Sequence, residues 1–515
     1  MSHIEKDHSP PAGFRILDLF AGPGGLDVAA EVLGHRVTGI EWDDGACTTR
    51  EAAGMDTFQG DVRQYRAAFF PHAQVLTGGP PCQTFTVAGH GAGRRALDKV
   101  IQYIERLHHA VRCENGQDWK QIFRTWRKIS EELRLKELEA KEVKDEKREI
   151  EELRTTKRRA IKNRLEQLGN SPDEVKKFLK KLKALQNPDE FSDDELKSLL
   201  KQLGDLNDRL DKLKNKLEEL GDERTGLVLQ PLWWVIERSK RPGSEPYEAV
   251  ILEQVPAVMP VWDEYVKVLA SLGYRTRTQL MHTEAFGVPQ TRRRAVLMAR
   301  LDRAALENEL HPGHLPKVSE THERYQPGSR PPKANQADTL PVDSAEGADD
   351  KQPQPWVSMG KALKRAQAIS SDLPCRPAFT VISNYGTGGV PEARGRRDHD
   401  VPSATITGKV SRNRVVEKGT DKKLDRFTPA EAGVLQTFPV AYPWDGNDIS
   451  QQIGNAVPPR LALHVLRHVL EPELSDKEAK ARLEQAASRL EAWQPGEPVR
   501  ALRHRGLKGH PLTDR

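Results

Sequence analysis

Short apolar runs alternate with helix-length segments in the N-terminal half of the chain. The runs cover residues 15–20, 37–40, 57–61 and 73–77, and a helical pattern over 26–33 separates the first two. Strands that alternate with helices in this way indicate a parallel sheet with helices on both faces. The pattern therefore predicts an α/β fold with a doubly wound sheet, in which ligands bind beyond the carboxyl ends of the strands.

A different pattern, helical and highly charged, occupies residues 96–223. Helices are predicted over 96–111 and 119–168, and capping boxes at Ser171 and Ser192 begin two more. After the second box, leucines recur at alternating spacings of three and four residues, which is typical of a heptad seam. These leucines are Leu196, Leu199, Leu203, Leu206, Leu210, Leu213, Leu217 and Leu220. The segment is predicted to form an antiparallel helical hairpin or coiled coil.

The pattern loosens after residue 301. Residues 326–354 are rich in Pro, Gly, Asp and Ser, and short strands are predicted at 377–383 and 403–407. A charged helix is predicted over 475–493, followed by a basic, disordered tail over 500–515. A basic neighbourhood lies between the linker and that helix, formed by Arg394, Arg396, Arg397, Lys409, Arg412, Arg414, Lys422, Lys423 and Arg426.

Composition limits the compartment and the membrane association that we expect, but it does not identify a binding partner. The 515 residues carry a formal net charge of +5, which permits a nucleic-acid partner without requiring one. The sequence has neither the apolar core of a secretory signal nor an apolar run long enough for a bilayer, so no membrane association is expected. The four cysteines are far apart and lack zinc-site spacing, so no metal is predicted and a reducing cytoplasm fits best.

The candidate nucleophile is Cys82, which follows the apolar run 73–77 and a stiff Gly-Gly-Pro-Pro turn at 78–81. Such a turn holds a thiol at the mouth of a site on a backbone with little freedom. The simpler interpretation of an isolated Pro-Cys is a buried structural cysteine, since free cysteine is among the most buried residue types. The flanking residues and the rest of the chain favour the nucleophile.

A glycine-rich turn over 21–25 lets a cofactor approach the backbone closely, but it lacks the full G-x-G-x-x-G spacing of a dinucleotide site. Glu41 and Asp61 end the next two strands, where one carboxylate can accept both hydroxyls of a ribose and the other an adenine amine. The simpler interpretation of each is a solvated turn carboxylate. A nucleoside site without pyrophosphate recognition favours S-adenosylmethionine over NAD.

Several motifs follow one another in order along the chain. They are Asp18–Gly25, Glu41–Asp43, Gly79–Gln83, Arg224–Leu227, Ile251–Val255, Phe286–Arg294, Arg426–Ala432, Leu435–Pro439 and Gln452–Pro459. Together they resemble the motifs of the DNA (cytosine-5)-methyltransferase family, from about residue 15 to about residue 470 apart from the helical insertion and the loose region. An ordered set of motifs is far more specific than any one of them.

The resemblance implies a Rossmann-like methyltransferase sheet with a small mixed target recognition domain and the inserted helical hairpin. The implied boundaries are 1–95, 224–300 and 426–472 for the catalytic domain, 96–223 for the insertion, 301–425 for target recognition, and 473–515 for the C-terminal helix and tail. It also implies S-adenosyl-L-methionine as the cofactor and double-stranded DNA as the partner. The residues implied for the cofactor are Asp18, Phe20, Gly22, Gly24, Gly25, Leu26, Glu41, Trp42, Asp61, Pro80, Leu227, Asn455 and Val457.

The implied reaction begins with addition of the Cys82 thiolate to carbon 6 of cytosine, which activates carbon 5 toward a methyl sulfonium. Glu253 is the candidate that protonates or hydrogen-bonds ring N3, although it could instead cap the helix near Pro256. Arg292 and Arg294 carry forked guanidiniums suited to the cytosine O2 and to phosphates, although either could be a surface ion-pair partner. The target base must leave the duplex, so base flipping is expected.

Two features depart from the family pattern. Gln254 stands where the family usually has Asn, which leaves the hydrogen bond to the neighbouring turn open. The insertion lengthens the loop that closes over DNA in the family. An exposed spacer with solvated charges is slightly favoured for it; a dimerisation arm, a docking site for a protein partner and a clamp on flanking DNA stay open.

Two other functions compete with a DNA (cytosine-5-)-methyltransferase of a restriction-modification or phage-defence system. An RNA cytosine-5 methyltransferase of the same fold would share most motifs, but the long recognition region and the lack of a Cys-Phe-Thr signature after the glutamate motif argue against it. A non-catalytic DNA-binding scaffold that recruits a partner through its coiled coil is disfavoured by the complete motifs around Cys82 and Glu253.

Overall fold

The computed structural model describes residues 13–81, 92–112, 118–181, 191–220, 223–308, 310–329, 353–383 and 395–503. The chain divides into two compact units. Unit 1 consists of Met1–Cys82, Ile101–Phe123 and Leu227–Arg515, and unit 2 of Gln83–Val100 and Arg124–Gly226.

An eight-stranded sheet forms the centre of unit 1, with the order β14-β3-β2-β1-β4-β5-β8-β6. The strands of the described residues are β1 Arg15–Leu19, β2 Arg36–Glu41, β3 Asp56–Gln59, β4 Val75–Gly78, β5 Ala249–Gln254, β6 Tyr274–His282, β7 Gln290–Thr291, β8 Arg293–Leu301, β9 Phe379–Ile382, β10 Arg396–Asp398, β11 Ser403–Ala404, β12 Arg414–Glu417, β13 Lys423–Leu424 and β14 Leu502–Arg503. Strands β1 to β5 are parallel to their neighbours within this group, so their carboxyl ends share one edge.

One feature of this sheet adds to the sequence prediction, and another corrects it. Strand β8 runs antiparallel to both β5 and β6, so the sheet is mixed and not wholly parallel. The connection from β6 to β8 is short, which suits antiparallel pairing, whereas a parallel pair needs a longer crossover. The predicted disordered tail is ordered at its start, because Leu502 pairs with Phe58 at the sheet edge and Ala501 N–H donates to Glu51 Oε1 at 2.8 Å. Residues 504–515 lie outside the described residues.

The helices of the described residues are α1 Gly25–Val32, α2 Asp44–Ala52, α3 Ala92–Arg112, α4 Trp119–Gln167, α5 Pro172–Lys181, α6 Asp194–Leu220, α7 Gln230–Lys240, α8 Met259–Ser271, α9 Arg303–Glu307, α10 Met359–Ile369, α11 Pro429–Leu435, α12 Ile449–Asn455, α13 Pro459–Leu470 and α14 Asp476–Glu491. None of these helices combines the length and the apolar composition needed to cross a membrane.

Helices cover both faces of the large sheet. On one face, α1, α13 and α14 share an apolar core with Ile16, Val75 and Ile251 of the strands. Side chains alternate along a strand, so Leu17 and Leu76 point to the opposite face, and they are buried as well. Helix α7 contacts β4, and α8 contacts β6 and β8. The doubly wound α/β prediction is therefore confirmed.

A second, antiparallel sheet in unit 1 has the order β10-β9-β12-β13. Leu363 of α10 shares an apolar core with Phe379 and Val415 of the strands. Both predicted short strands occur, as β9 and β11, but β11 pairs with β7 instead of joining this sheet. Most of the predicted linker, at 330–352, and Arg394 lie outside the described residues.

Unit 2 contains an antiparallel helical hairpin formed by α4 and α6. Near the end of α4, Ile161 and Leu165 pack against Leu196, Leu200 and Leu203 near the start of α6. Farther from that end, a second cluster joins an earlier part of α4 to a later part of α6. It comprises Val143, Ile150, Leu210 and Leu213. The two clusters therefore bury the predicted leucine seam within the hairpin.

The helix caps of the hairpin agree with the sequence prediction in one case and correct it in the other. Ser171 N–H donates to Glu174 Oε2 at 2.8 Å, and Glu174 N–H donates to Ser171 Oγ, which forms the predicted capping box. At the start of α6 the cap is Asp193, whose Oδ1 accepts from Leu196 N–H at 2.7 Å, and not Ser192. Residues 182–190, which connect α5 to α6, lie outside the described residues.

Candidate functional site

The glycine-rich turn after β1 has a backbone that few residues can adopt. Gly22 and Gly24 have φ angles of 56° and 95°, and Phe20 has a φ of 60°, which is uncommon for a residue with a side chain. Such conformations cost on the order of 1–3 kcal/mol and are concentrated at ligand sites. A Cβ on Gly25 would lie 2.1 Å from the carbonyl oxygen of Val457, so glycine lets that segment pack against the turn.

Glu41 ties the end of β2 to the glycine turn. Its Oε2 accepts from Gly22 N–H at 2.7 Å, and its Oε1 accepts from the N–H groups of Trp42 and Asp43, each at 2.7 Å. Burial raises the pKa of Glu41, and the three hydrogen bonds oppose part of that rise. Three of the roughly four acceptor positions of the carboxylate are therefore used, and Oε2 keeps one for a ribose hydroxyl. The indole of Trp42 is 69% exposed, which leaves an aromatic face for a flat ring.

The other two carboxylates of this region are already engaged. Asp61 follows β3, and the guanidinium of Arg63 holds its Oδ2 through Nε at 2.9 Å and Nη2 at 2.5 Å. Asp18 is buried in β1 and accepts from Thr77 Oγ1 of the adjacent strand at 2.6 Å. Burial, and the nearby Asp27, raise the pKa of Asp18 to about 8. Asp18 is therefore held inside the sheet, in the strand that precedes the turn. Asp61 is held in one orientation at the carboxyl end of β3.

The remaining residues predicted for the cofactor differ in their surroundings. Asn455 is exposed, and its Oδ1 accepts from Gln451 Nε2 at 2.8 Å. Leu227 is half-buried in the short 3₁₀ helix Glu223–Leu229, and Leu26 is buried in the first turn of α1. Val457 lies next to the glycine turn, because a Cβ on Gly25 would lie 2.1 Å from its carbonyl oxygen.

The turn that precedes Cys82 is fixed by the residue that departs from the family pattern. Gln254 Nε2 donates to the Pro80 carbonyl oxygen, while its Oε1 accepts from Val255 N–H. The longer amide therefore reaches the turn, which resolves the question left open by the sequence. Cys82 itself and the loop up to Gly91 lie outside the described residues.

Glu253 and Arg294 form an ion pair beside this turn. Arg294 Nε lies 2.5 Å from Glu253 Oε1, and each side chain is 13% exposed. A Cβ on Gly79 would lie 3.7 Å from Glu253 Oε2, so the carboxylate reaches the backbone three residues before Cys82. This closeness follows from the pairing of β4 with β5, in which Gly78 lies opposite Leu252. The pair thus provides a proton-exchanging group and a forked cation at one sheet edge.

Arg292 has different surroundings from Arg294. It is 2% exposed, and its Nη1 donates to the carbonyl oxygens of Ile406 and Gly454 at 2.9 Å and 3.0 Å. Its Nη2 donates to the Ala456 carbonyl at 3.4 Å. The guanidinium therefore joins two separate backbone segments, at Ile406 and at residues 454–456, whereas contact with a base or a phosphate stays a prediction for Arg294.

Sequence reasoning missed a buried group behind the glycine turn. Arg50 Nη2 lies 2.6 Å from Asp27 Oδ1, and both side chains are fully buried. A Cβ on Gly39 would lie 2.1 Å from the same guanidinium nitrogen, so β2 needs glycine there. Tyr442 Oη donates to the Pro23 carbonyl and fixes the turn from the other side. No spacing pattern marks these residues, because each contact joins distant parts of the chain.

The geometry fits a nucleoside-type cofactor without a metal ligand set. The glycine turn is open at Gly22, Glu41 keeps one acceptor position, and the indole of Trp42 is exposed. Among the described residues, no group of three or more His, Cys, Asp or Glu could hold a metal ion.

The family model described as C-5 cytosine-specific DNA methylase matches this chain over residues 14–110 and 242–471, which together exceed half of its length. Type II methyltransferase M.HhaI of Haemophilus parahaemolyticus is 28% identical over 154 residues, covering 27% of this chain and 47% of that protein. Type II methyltransferase M.HpaII of Haemophilus parainfluenzae is 40% identical over 83 residues, covering 16% of this chain and 23% of that protein. The matches thus span about half or less of the length of these curated relatives.

Solved structures give more distant matches. The Dnmt2 methyltransferase of S. pombe has a TM-score of 0.41 at 12% identity, covering 90% of this chain and 100% of that one. A putative DNA modification methyltransferase from an E. coli prophage has a TM-score of 0.38 at 15% identity, covering 89% and 100%.

Proposed function

Because the chain belongs to the family of C-5 cytosine-specific DNA methylases, we propose that it transfers a methyl group from S-adenosylmethionine to carbon 5 of cytosine in double-stranded DNA. The observation that carries this proposal is the closeness of Glu253, Arg294 and the Gly79–Pro80 turn at one sheet edge. That edge also carries the glycine turn, so a cofactor and a base would meet there.

S-adenosylmethionine supplies an electrophilic methyl group on a sulfonium sulfur. In our proposal Glu41 Oε2 accepts a ribose hydroxyl, Trp42 packs against the adenine and Asp61 accepts from its amine. Gly22 supports this assignment, because its φ is 56° and a Cβ built there would meet no atom within 4 Å, so the space beside it is open. The Val457 segment packs against Gly25 of the same turn.

The proposed role of Cys82 is nucleophilic. Its thiolate adds to carbon 6 of cytosine, forming a carbon–sulfur bond and moving the electron pair of the 5,6 double bond to carbon 5. Carbon 5 then takes the methyl group, and the bond between methyl and sulfonium breaks with its electrons left on sulfur. Removal of the carbon 5 proton by a base re-forms the double bond and releases the thiolate.

Glu253 and Arg294 have complementary proposed roles. Protonation or hydrogen bonding at ring N3 by Glu253 makes the addition at carbon 6 easier, a contribution of about 10²–10⁴-fold for a positioned acid. Arg294 orients that carboxylate through its Nε and has further N–H donors for the cytosine O2. Both roles require the target base to leave the duplex, at a cost of a few kcal/mol.

The antiparallel sheet β10-β9-β12-β13 is our candidate for target recognition. Arg412, Arg414, Lys422 and Lys423 are all exposed on or beside this sheet. Exposed cations of this kind position a protein on phosphates, and arginines also read guanine edges. This basic surface supports a nucleic-acid substrate, and the match to a family described as DNA methylases favours DNA over RNA. The relatives named Type II methyltransferases support a restriction-modification setting.

The experiment that tests the function is expression in a host without cytosine methylation, followed by mapping of 5-methylcytosine across its genome. We expect modification of carbon 5 within one short sequence, and none with a Cys82→Ala variant. Purified protein should then methylate duplex DNA that contains this sequence in the presence of competing RNA. Modification confined to RNA would favour the RNA enzyme, and DNA binding without modification of either would favour the scaffold.

A further inference from the structure

Charge is segregated along the hairpin of unit 2. Residues 131–152 of α4 contain six basic and ten acidic side chains, whereas residues 153–181 contain ten basic and three acidic side chains. The net charge therefore changes from −4 to +7 between two adjoining stretches of similar length. A plain solvated spacer needs mixed charges for solubility, and it has no need for such a separation.

The acidic stretch 131–152 and the basic stretch 153–181 also differ in the ion pairs that they form across the hairpin. In the acidic part, Glu146 pairs with Arg209 at 3.1 Å and Glu139 pairs with Lys216 at 3.0 Å, both across the hairpin. At the basic end, the carboxylates at the start of α6 are engaged by one residue of α4, because Arg164 pairs with Asp193 at 2.7 Å and with Glu195 at 3.0 Å. Among the neighbouring cations that the structure describes, Lys162 pairs with Glu166 of its own helix at 3.6 Å.

These neighbouring cations, which we call the basic end, lie on α4 and α5. They are Lys157, Arg158, Arg159, Lys162, Lys176 and Lys180. Within the described part of the chain, Lys157, Arg159, Lys176 and Lys180 form no ion pair. Arg158, Lys162, Lys176 and Lys180 line one groove between the two helices, in which Glu166 is the acidic residue. Like charges that face each other across a groove repel, so a polyanion placed there would relieve the repulsion.

We infer that the basic end binds the phosphate backbone of duplex DNA outside the target sequence, an inference that rests on the proposed DNA substrate. Duplex DNA presents one negative charge per about 1.7 Å, which suits cations spread over successive turns of two helices. The part of α4 that belongs to unit 2 begins at Arg124. The basic end begins more than 30 residues farther along this helix, which is about 50 Å at 1.5 Å per residue. Such a contact adds affinity without reading sequence, because phosphates carry no base information.

The test compares two neutralised forms of the full-length protein. The first carries Lys157→Gln, Arg159→Gln, Lys176→Gln and Lys180→Gln. The control carries Lys141→Gln, Lys144→Gln, Lys147→Gln and Lys212→Gln, in the more acidic part of the hairpin. Binding to a 60-base-pair duplex without the target sequence is measured over a range of salt concentrations, and circular dichroism checks that both forms are folded.

We expect the first form to bind at least 10-fold more weakly than the parent at low salt, with the slope of log affinity against log salt reduced by about 3. The control should match the parent in both quantities. Equal binding by the two forms would overturn the inference and favour an acidic protein as the partner of the basic end. Methylation of a 20-base-pair target duplex is measured in parallel, since its absence in the parent would refute the proposed function and leave the binding comparison intact.

Discussion

At the scale of single residues, the site depends on side chains that hold the backbone beside Cys82. Gln254 fixes the Pro80 carbonyl, Arg294 orients Glu253, and Glu41 binds the glycine turn through Gly22. The sequence predicts which of these positions matter, because each lies in an ordered motif. It does not predict their partners, since a hydrogen bond between residues 80 and 254 depends on strand order and not on spacing.

Replacing Gln254 by Leu should slow methyl transfer by about 10–100-fold, because the Pro80 carbonyl loses a buried donor worth roughly 1–3 kcal/mol. Gln254→Asn is the matched control, because it keeps the amide and should retain most of the activity. Single-turnover rates with saturating cofactor provide the measurement. A Leu variant as fast as the parent would mean that this hydrogen bond does not position the nucleophile.

Asp18 should make the stability of unit 1 depend on pH. Burial raises its pKa from 3.8 to about 8, so between these values the folded state retains a proton that the unfolded state has released. The protonated Asp18 carboxyl therefore contributes its full stabilisation below pH 3.8, and this contribution is lost as the pH rises toward about 8. The free energy of unfolding of Asp18→Asn, measured relative to the parent by urea denaturation, should rise from pH 4 to pH 8. A falling difference would contradict the assignment.

At the scale of elements, the sequence predicts the helices and central strands well and their ends and pairing less well. The leucine spacing in α6 correctly indicates a buried seam, because a heptad repeat places its residues on one helix face. The cap of α6 is Asp193 and not the predicted Ser192. Asp193 accepts from Leu196 N–H and also from Arg164 of α4, and a local capping pattern cannot reveal this second, long-range contact. The antiparallel direction of β8 is likewise set by its partners β5 and β6.

Arg292 connects segments that are distant in sequence, so we expect its replacement to act mainly by lowering the stability of the fold. Replacing Arg292 by Met removes hydrogen bonds to the carbonyls of Ile406, Gly454 and Ala456 and should reduce the free energy of unfolding by at least about 2 kcal/mol. Arg293→Met, at an exposed neighbouring position, should change it by less than about 0.5 kcal/mol. Chemical denaturation of both variants provides the comparison, and equal effects would refute this role for Arg292.

At the scale of the whole molecule, the chain combines a mixed sheet, which carries the proposed catalytic site, with a long helical insertion. The ordered motifs predict this sheet and its site, because the reaction of the family limits which residues can occupy the carboxyl edge of the sheet. The insertion is predicted only as a hairpin, since heptad spacing specifies what is buried and not what the exposed charges bind. Its charge segregation becomes informative only when the ion pairs across the hairpin are known.

The central claim is that Cys82 attacks an extruded cytosine, and a mechanism-based trap tests it most directly. A duplex that contains the mapped target sequence with 5-fluorocytosine at the methylated position is incubated with protein and S-adenosylmethionine. Fluorine blocks the final elimination, so we predict a stable covalent complex, with the modified peptide containing Cys82 and no complex for Cys82→Ala. A parent protein that methylates the ordinary duplex yet forms no adduct through Cys82 would contradict the account.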